Sequence, residues 1–237
     1  MTIKALAFDI FGTIVDWRSS IAREVDRFLA EIGREDVDSF VFARAWRDFY
    51  QPRMADCRSG ARPYTPLEEL IAEALDETLA ANGIAPEGLG LGRRIHFVHA
   101  WRRLDPWPDV VEGLCLLQAR FPLVALSNGN LALTMHLARH GGYRWDAILG
   151  AEVAQTYKPL PRPYDQAVDM LSIRPEELCL VAAHEDDLRA ARMRGLSTAY
   201  LHRPLEFGPD EIHLPEGDWS YSADNLRSLS EELSGQG

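Results

Sequence analysis

Leu6-Ala7-Phe8-Asp9-Ile10-Phe11-Gly12-Thr13 is the stretch on which the fold turns. The apolar run from Ile3 to Ile10 predicts a short, fully buried strand of a parallel sheet. Asp9 closes that run, and Gly12-Thr13 turns the chain. A carboxylate followed by x-x-Gly-Thr at a strand end is a common way to present a nucleophile. Enzymes that use it on phosphate usually carry a second Asp two residues on. Position 11 is Phe here, and this apolar ring points to an electrophile other than phosphate.

Working outward, residues 20 to 100 have helical periodicity, as in Ile21, Val25, Phe28, Leu29 and Ile32, and again in Leu67, Leu70, Ile71, Ala74 and Leu75. Asn82-Gly83 and Gly88-Leu89-Gly90 mark breaks in this block. From about residue 104 strands alternate with helices. Strands are predicted at Leu123–Leu126, near Ala147–Leu149, at Cys179–Ala182 and at Ser197–Leu201. Helices are predicted at Val110–Ala119, Leu131–His140, Tyr164–Leu171 and Leu188–Arg194, the last closed by Gly195. The alternation predicts an α/β fold, a doubly wound, Rossmann-like parallel sheet. Residues 1–16 and 104–237 would form the core domain, and 17–103 an inserted helical cap.

The chain of 237 residues is 46% hydrophobic and 26% charged, with a formal net charge of -11. That charge argues against nucleic acid or an anionic membrane surface as partner. Cys57, Cys115 and Cys179 show no paired spacing, so neither a disulfide framework nor a zinc site is expected, and a cytoplasmic location is. The start runs straight into a strand, with no signal peptide or long apolar span expected.

Sites in open parallel sheets gather at the carboxyl ends of strands. Four such ends carry unusual residues: Asp9, then Ser127-Asn128, then Tyr157-Lys158-Pro159, then His184-Glu185-Asp186-Asp187. The Asp-x-x-Gly-Thr, Ser-Asn-Gly and Lys-Pro segments, in this order, resemble the haloacid dehalogenase superfamily, and more narrowly its type II L-2-haloacid dehalogenases. The resemblance spans nearly the whole chain, and the helical block matches that family's cap.

The resemblance implies hydrolytic dehalogenation of a short 2-haloalkanoic acid. Asp9 would attack C2 opposite the halide, and water would then open the aspartyl ester to give a 2-hydroxy acid. Phe11 matches the aromatic that these dehalogenases carry where phosphatases have Asp. Phosphatases of the superfamily show Val-Gly-Asp-x-x-x-Asp further on. This chain has Val181-Ala182-Ala183-His184-Glu185-Asp186-Asp187, so a second carboxylate is replaced by Ala183. No metal and no organic cofactor are expected. Lys158 would hold Asp9 ionised, and Thr13 would fix it or merely turn the chain. Ser127 and Asn128 would donate to the substrate carboxylate and the halide ion. Arg47 shares a helical face with Tyr50 and Gln51 and would capture the carboxylate or halide, with Arg53 as rival. Tyr164 falls where the family has a tyrosine near the site, or packs in the core. Many relatives have Ser at 182, Asn at 184 and an aromatic at 186, where this chain has Ala182, His184 and Asp186. Asp187 would activate water or orient the lysine, and His184 would position water, act as base, contact halide or simply sit in a loop. Relatives are often homodimers. Two alternatives stand beside this reading: a magnesium phosphohydrolase of the same superfamily, and a catalytically silent binding protein with the same fold.

Overall fold

A computed structural model of the chain describes residues 2–86 and 89–234. Gly88, one of the predicted breaks, lies outside them. Six parallel strands form the sheet: β1 (Ala5–Phe8), β4 (Leu123–Ser127), β5 (Ala147–Gly150), β6 (Leu178–Ala182), β7 (Ser197–Leu201) and β8 (Tyr221–Ala223). Their order is β5-β4-β1-β6-β7-β8. The strands are apolar throughout because both faces are covered. Leu6, Phe8, Leu123, Ala125, Cys179 and Val181 pack on one side, and Ala5, Ala7, Val124, Leu126, Leu178 and Leu180 on the other.

β1 lies between β4 and β6, with Leu6 opposite both Leu123 and Cys179. The chain runs outward from β1 through β4 to β5, then returns to β1's other side for β6 to β8. This reversal opens the crevice at β1's carboxyl end, where Asp9 sits.

The helical block comprises α1 (Trp17–Glu31), α2 (Ser39–Ser59), α3 (Leu67–Ala81) and α4 (Leu91–Val98). Asp38 caps α2 by accepting from the amides of Phe40 and Val41 at 2.8 and 3.0 Å. Gly60 closes it in the left-handed region at φ 80°. One face of α2 buries Phe42, Trp46, Tyr50, Met54 and Cys57. Trp46 Nε1 donates to the Ile71 carbonyl at 2.9 Å, which ties α2 to α3. The outgoing and returning chains meet as a small antiparallel pair, β2 (Val15–Asp16) and β3 (Asp105–Pro106). The hydrophobic cluster on that face of the sheet continues into the helical block through Trp17, Trp46 and Trp101.

The remaining helices are α5 (Val110–Gln118), α6 (Leu131–Gly141), α7 (Ala151–Ala154), α8 (Pro161–Leu171), α9 (Glu185–Met193) and α10 (Leu226–Ser234). The first strand is shorter than the apolar run predicts, because Ile10 already belongs to the turn whose carbonyl accepts from Ile14 and Val15. α9 begins three residues before the predicted start. Its first turn is acidic, which suits the positive end of a helix. β8 and α10 were not anticipated, since a three-residue strand carries too little periodicity to read. No helix among the described residues is long and apolar enough to cross a membrane.

Candidate active site

The crevice holds a cavity of about 480 Å³ between the strand ends and α2. Asp9, Phe11, Asn128, Lys158 and His184 line it from the sheet side, and Arg47, Tyr50, Gln51, Met54 and Arg58 from α2. Asp9 is the centre of the polar network. Lys158 Nζ donates to Oδ1 at 2.9 Å, and Thr13 Oγ1 donates to Oδ2 at 2.8 Å. His184 Nδ1 stands 3.3 Å from the same Oδ2. Thr13 Oγ1 itself accepts from the Ala183 amide at 2.9 Å, which aims its proton at Asp9.

Lys158 also donates to Asp187 Oδ2. The other oxygen of Asp187 accepts from Tyr164 OH at 2.5 Å. Lys158 is held in place by its own backbone, whose amide donates to Asn128 Oδ1 at 2.8 Å and whose carbonyl accepts from Arg58 at 3.3 Å.

Burial alone would favour a neutral Asp9. The charges of Lys158 and His184 outweigh it and hold the carboxyl well below the usual carboxylate range. Burial likewise opposes the Lys158 ammonium, but Asp187 and Asp9 push its pKa above the ordinary value. Asp187 is raised by burial and by the nearby charge of Asp9, against the pull of Lys158. The site therefore holds one strongly ionised carboxylate and a second, more basic one, joined by a permanent cation.

The predicted residues fall into two groups. Asp9, Phe11, Arg47, Asn128, Lys158, His184 and Asp187 all line the cavity. Ser127, Tyr164 and Thr13 are fully buried and lie outside its wall. Ser127 Oγ accepts from the Gly129 amide at 3.0 Å, which shapes the turn after β4. Tyr164 reaches Asp187 in place of the cavity. Arg53 is bound to the Phe49 carbonyl and to Glu77, away from the cavity. Arg58 and Met54 were missed, although they continue the Arg47–Gln51 face by one to two turns. Glu206 was also missed. It follows the carboxyl end of β7, where no motif marks it, and is 3% exposed.

The guanidinium of Arg47 lies over the Trp17 ring at 4.9 Å and the Phe207 ring at 5.5 Å. Its Nε is buried without a hydrogen-bond partner among the described residues. The donor set does not suit a divalent cation. Phe11 and Ala183 offer no oxygen side chain, and the Lys158 ammonium already stands between Asp9 and Asp187. Among the described residues, no three His, Cys, Asp or Glu side chains converge as metal ligands.

A cavity lined by cationic side chains, a buried ionised carboxylate at the end of the central strand and a sheet of this order fit a hydrolase of the haloacid dehalogenase type. The haloacid dehalogenase-like hydrolase family matches residues 3–195, and the chain belongs to that family. It is 30% identical over 206 residues to (S)-2-haloacid dehalogenase 1 of Pseudomonas sp. (strain CBS-3), with 85% of each chain covered. Among solved structures it is similar to a defluorinating L-2-haloacid dehalogenase, with TM-score 0.95, 40% identity and 98% and 95% of the two chains covered. A second L-2-haloacid dehalogenase structure has TM-score 0.93 and 38% identity, with coverage of 99% and 100%.

Proposed function

We propose that this protein hydrolyses short 2-haloalkanoic acids to 2-hydroxy acids through an ester on Asp9. The supporting observation is an ionised Asp9 paired with Lys158 in a cavity where Phe11 replaces the carboxylate that phosphate chemistry requires. An oxygen of a carboxylate has two in-plane lone pairs. Thr13 and His184 occupy both on Oδ2, whereas Oδ1 accepts from Lys158 and from no other described residue. Oδ1 is therefore the attacking oxygen.

In the first step the Oδ1–C2 bond forms, the carbon–halogen bond breaks, and halide leaves with the electron pair. Arg47, whose buried Nε has no hydrogen-bond partner among the described residues, receives the substrate carboxylate or the departing halide. In the second step water attacks Cγ of Asp9 and gives a proton to Asp187. The bond from Cγ to the alkyl oxygen then breaks, that oxygen takes the proton from Asp187 to become the product hydroxyl, and the restored Asp9 carboxyl releases its proton to solvent. Tyr164 and Lys158 hold Asp187 in place for this transfer. The helical block, residues 17–103, acts as the cap that supplies Arg47. Three free thiols, one of them exposed, suit a reducing cytoplasm.

An ion-selective halide assay over chloroacetate, fluoroacetate and both enantiomers of 2-chloropropionate tests the proposal. Release of halide by the wild type and none by Asp9→Asn is expected. No release from any of the four overturns it.

A further inference from the structure

His184 is bracketed by two carboxylates. Nδ1 faces Asp9 Oδ2 at 3.3 Å, and Nε2 faces Glu206 Oε1 at 2.9 Å. A carboxylate oxygen only accepts, so both ring nitrogens must donate, and only the imidazolium has two N–H groups. Glu206 Oε1 also accepts from Trp17 Nε1 at 3.1 Å, so both its lone pairs are filled by donors. Glu206 presses on the nucleophile loop itself. A Cβ at Gly12, whose φ is +83°, would stand 2.1 Å from Glu206 Oε1. The glycine of the Asp-x-x-Gly-Thr turn thus makes room for this carboxylate.

We infer that Glu206 is a positioning residue that holds His184 as an imidazolium against Asp9 Oδ2, where it stabilises the oxyanion formed when the Asp9 ester is hydrolysed. The inference rests on the proposed ester route and adds the residue that drives its second half. With Oδ1 joined to the substrate, Oδ2 is the ester carbonyl oxygen. Attack of water on Cγ moves an electron pair onto Oδ2, which already faces Thr13 and His184. When the tetrahedral species collapses, that pair returns and the bond to the alkyl oxygen breaks. His184 gives up no proton, so it serves as a fixed charge and not as the base. Esterification removes the charge of Asp9 but leaves Glu206, which is why the imidazolium persists through the second step.

The surroundings agree. Burial disfavours the charged ring, yet Glu206 and Asp9 push its pKa up to about 10. Arg47 of α2 lines the same cavity as the ring, and Lys158 and Asp187 lie beyond Asp9. Arg203, next to Glu206 on the loop after β7, is paired with Asp109 at 2.8 Å. Tyr200 at the end of β7 faces the neighbouring cavity that His184 also lines, and so do Glu216, Arg189 with its partners Glu185 and Asp186, and His213 with its partner Glu211. Among the described residues, Glu206 and Asp9 are the carboxylates within ion-pair distance of the ring.

Two measurements test the inference. The first is a nitrogen-15 NMR titration of the His184 ring in the wild-type protein. The ring should stay doubly protonated from pH 6 to 9, whereas a neutral ring at pH 7.5 overturns the inference. The second is the decay of the Asp9 adduct of chloroacetate, followed by acid quench and mass spectrometry. Wild-type decay should be flat over that range. In Glu206→Gln the ring loses its second carboxylate, and decay should slow at least about tenfold between pH 6 and 9 as the imidazolium titrates. A flat profile in that variant, or a loss equal at every pH, contradicts the role. Failure of the wild type to form any adduct would instead overturn the ester route, and the ring titration still decides the charge of His184.

Discussion

The two walls of the cavity are built on opposite principles. On the sheet wall, each charged group that touches Asp9 or its neighbour is paired: Lys158 with two carboxylates, Asp187 with Lys158 and Tyr164, His184 with Asp9 and Glu206. On the helical wall, Arg47 rests on two aromatic rings amid Tyr50 and Met54 and forms no ion pair among the described residues. A paired wall is preorganised and costs no reorganisation during reaction. An unpaired cation has its binding capacity free for an anion arriving from solvent. Changes on the sheet wall should therefore lower the chemical rates, and changes on the helical wall should lower affinity.

Asp9→Asn should have the largest effect, a loss of about 10⁴-fold or more in kcat, with chloroacetate still binding by calorimetry. Lys158→Met follows at roughly 10²- to 10³-fold in kcat, and stopped-flow halide release should locate the loss in the first step. His184→Asn should slow adduct decay by about 10-fold or more while leaving adduct formation within a few-fold. Arg47→Ala should raise KM by about tenfold with a smaller change in kcat, and Arg47→Lys should recover only part, because a point charge replaces the planar fork. If Arg47→Ala lowers kcat as much as Lys158→Met does, the contrast between the walls fails. Gly12→Ala should cost about 1–2 kcal/mol or more in denaturant unfolding, from a non-glycine residue at positive φ, and should also slow adduct decay because its Cβ displaces Glu206.

The pH dependence sharpens the same contrast. Asp9 acts when ionised, which holds at any pH above its depressed pKa. Formation of the adduct should thus persist into acid beyond the ordinary carboxylate range. Adduct decay needs the His184 proton and an ionised Asp187, so it should fall in alkali as the ring, held then by Glu206 without the charge of Asp9, loses its proton, and in acid as Asp187 is protonated.

Legibility in the sequence followed the same division. The sheet wall sits at strand ends marked by Gly-Thr, Ser-Asn-Gly and Lys-Pro, where local turn chemistry and function coincide. Asp9, Lys158 and Asp187 could be found there. For Tyr164 the sequence left a place near the site and a place in the core both open, because it shows which element a residue occupies and not which way its side chain turns; the ring is buried and its hydroxyl reaches Asp187. On α2 the spacing of Arg47, Tyr50 and Gln51 found the cavity face, but Arg53 against Arg58 depended on packing against α3, through Glu77. Glu206 had no motif to mark it. Its role arises from contact with residues 12, 17 and 184, which are distant in sequence and meet only when β7 lies beside β6.

The central claim is that Asp9 carries the substrate as an ester. One turnover with enzyme in excess, run in oxygen-18 water, tests it most directly. The account predicts that the label enters the Asp9 carboxylate while the first 2-hydroxy acid carries ordinary oxygen. Label appearing in that first product, with none on Asp9, would contradict it.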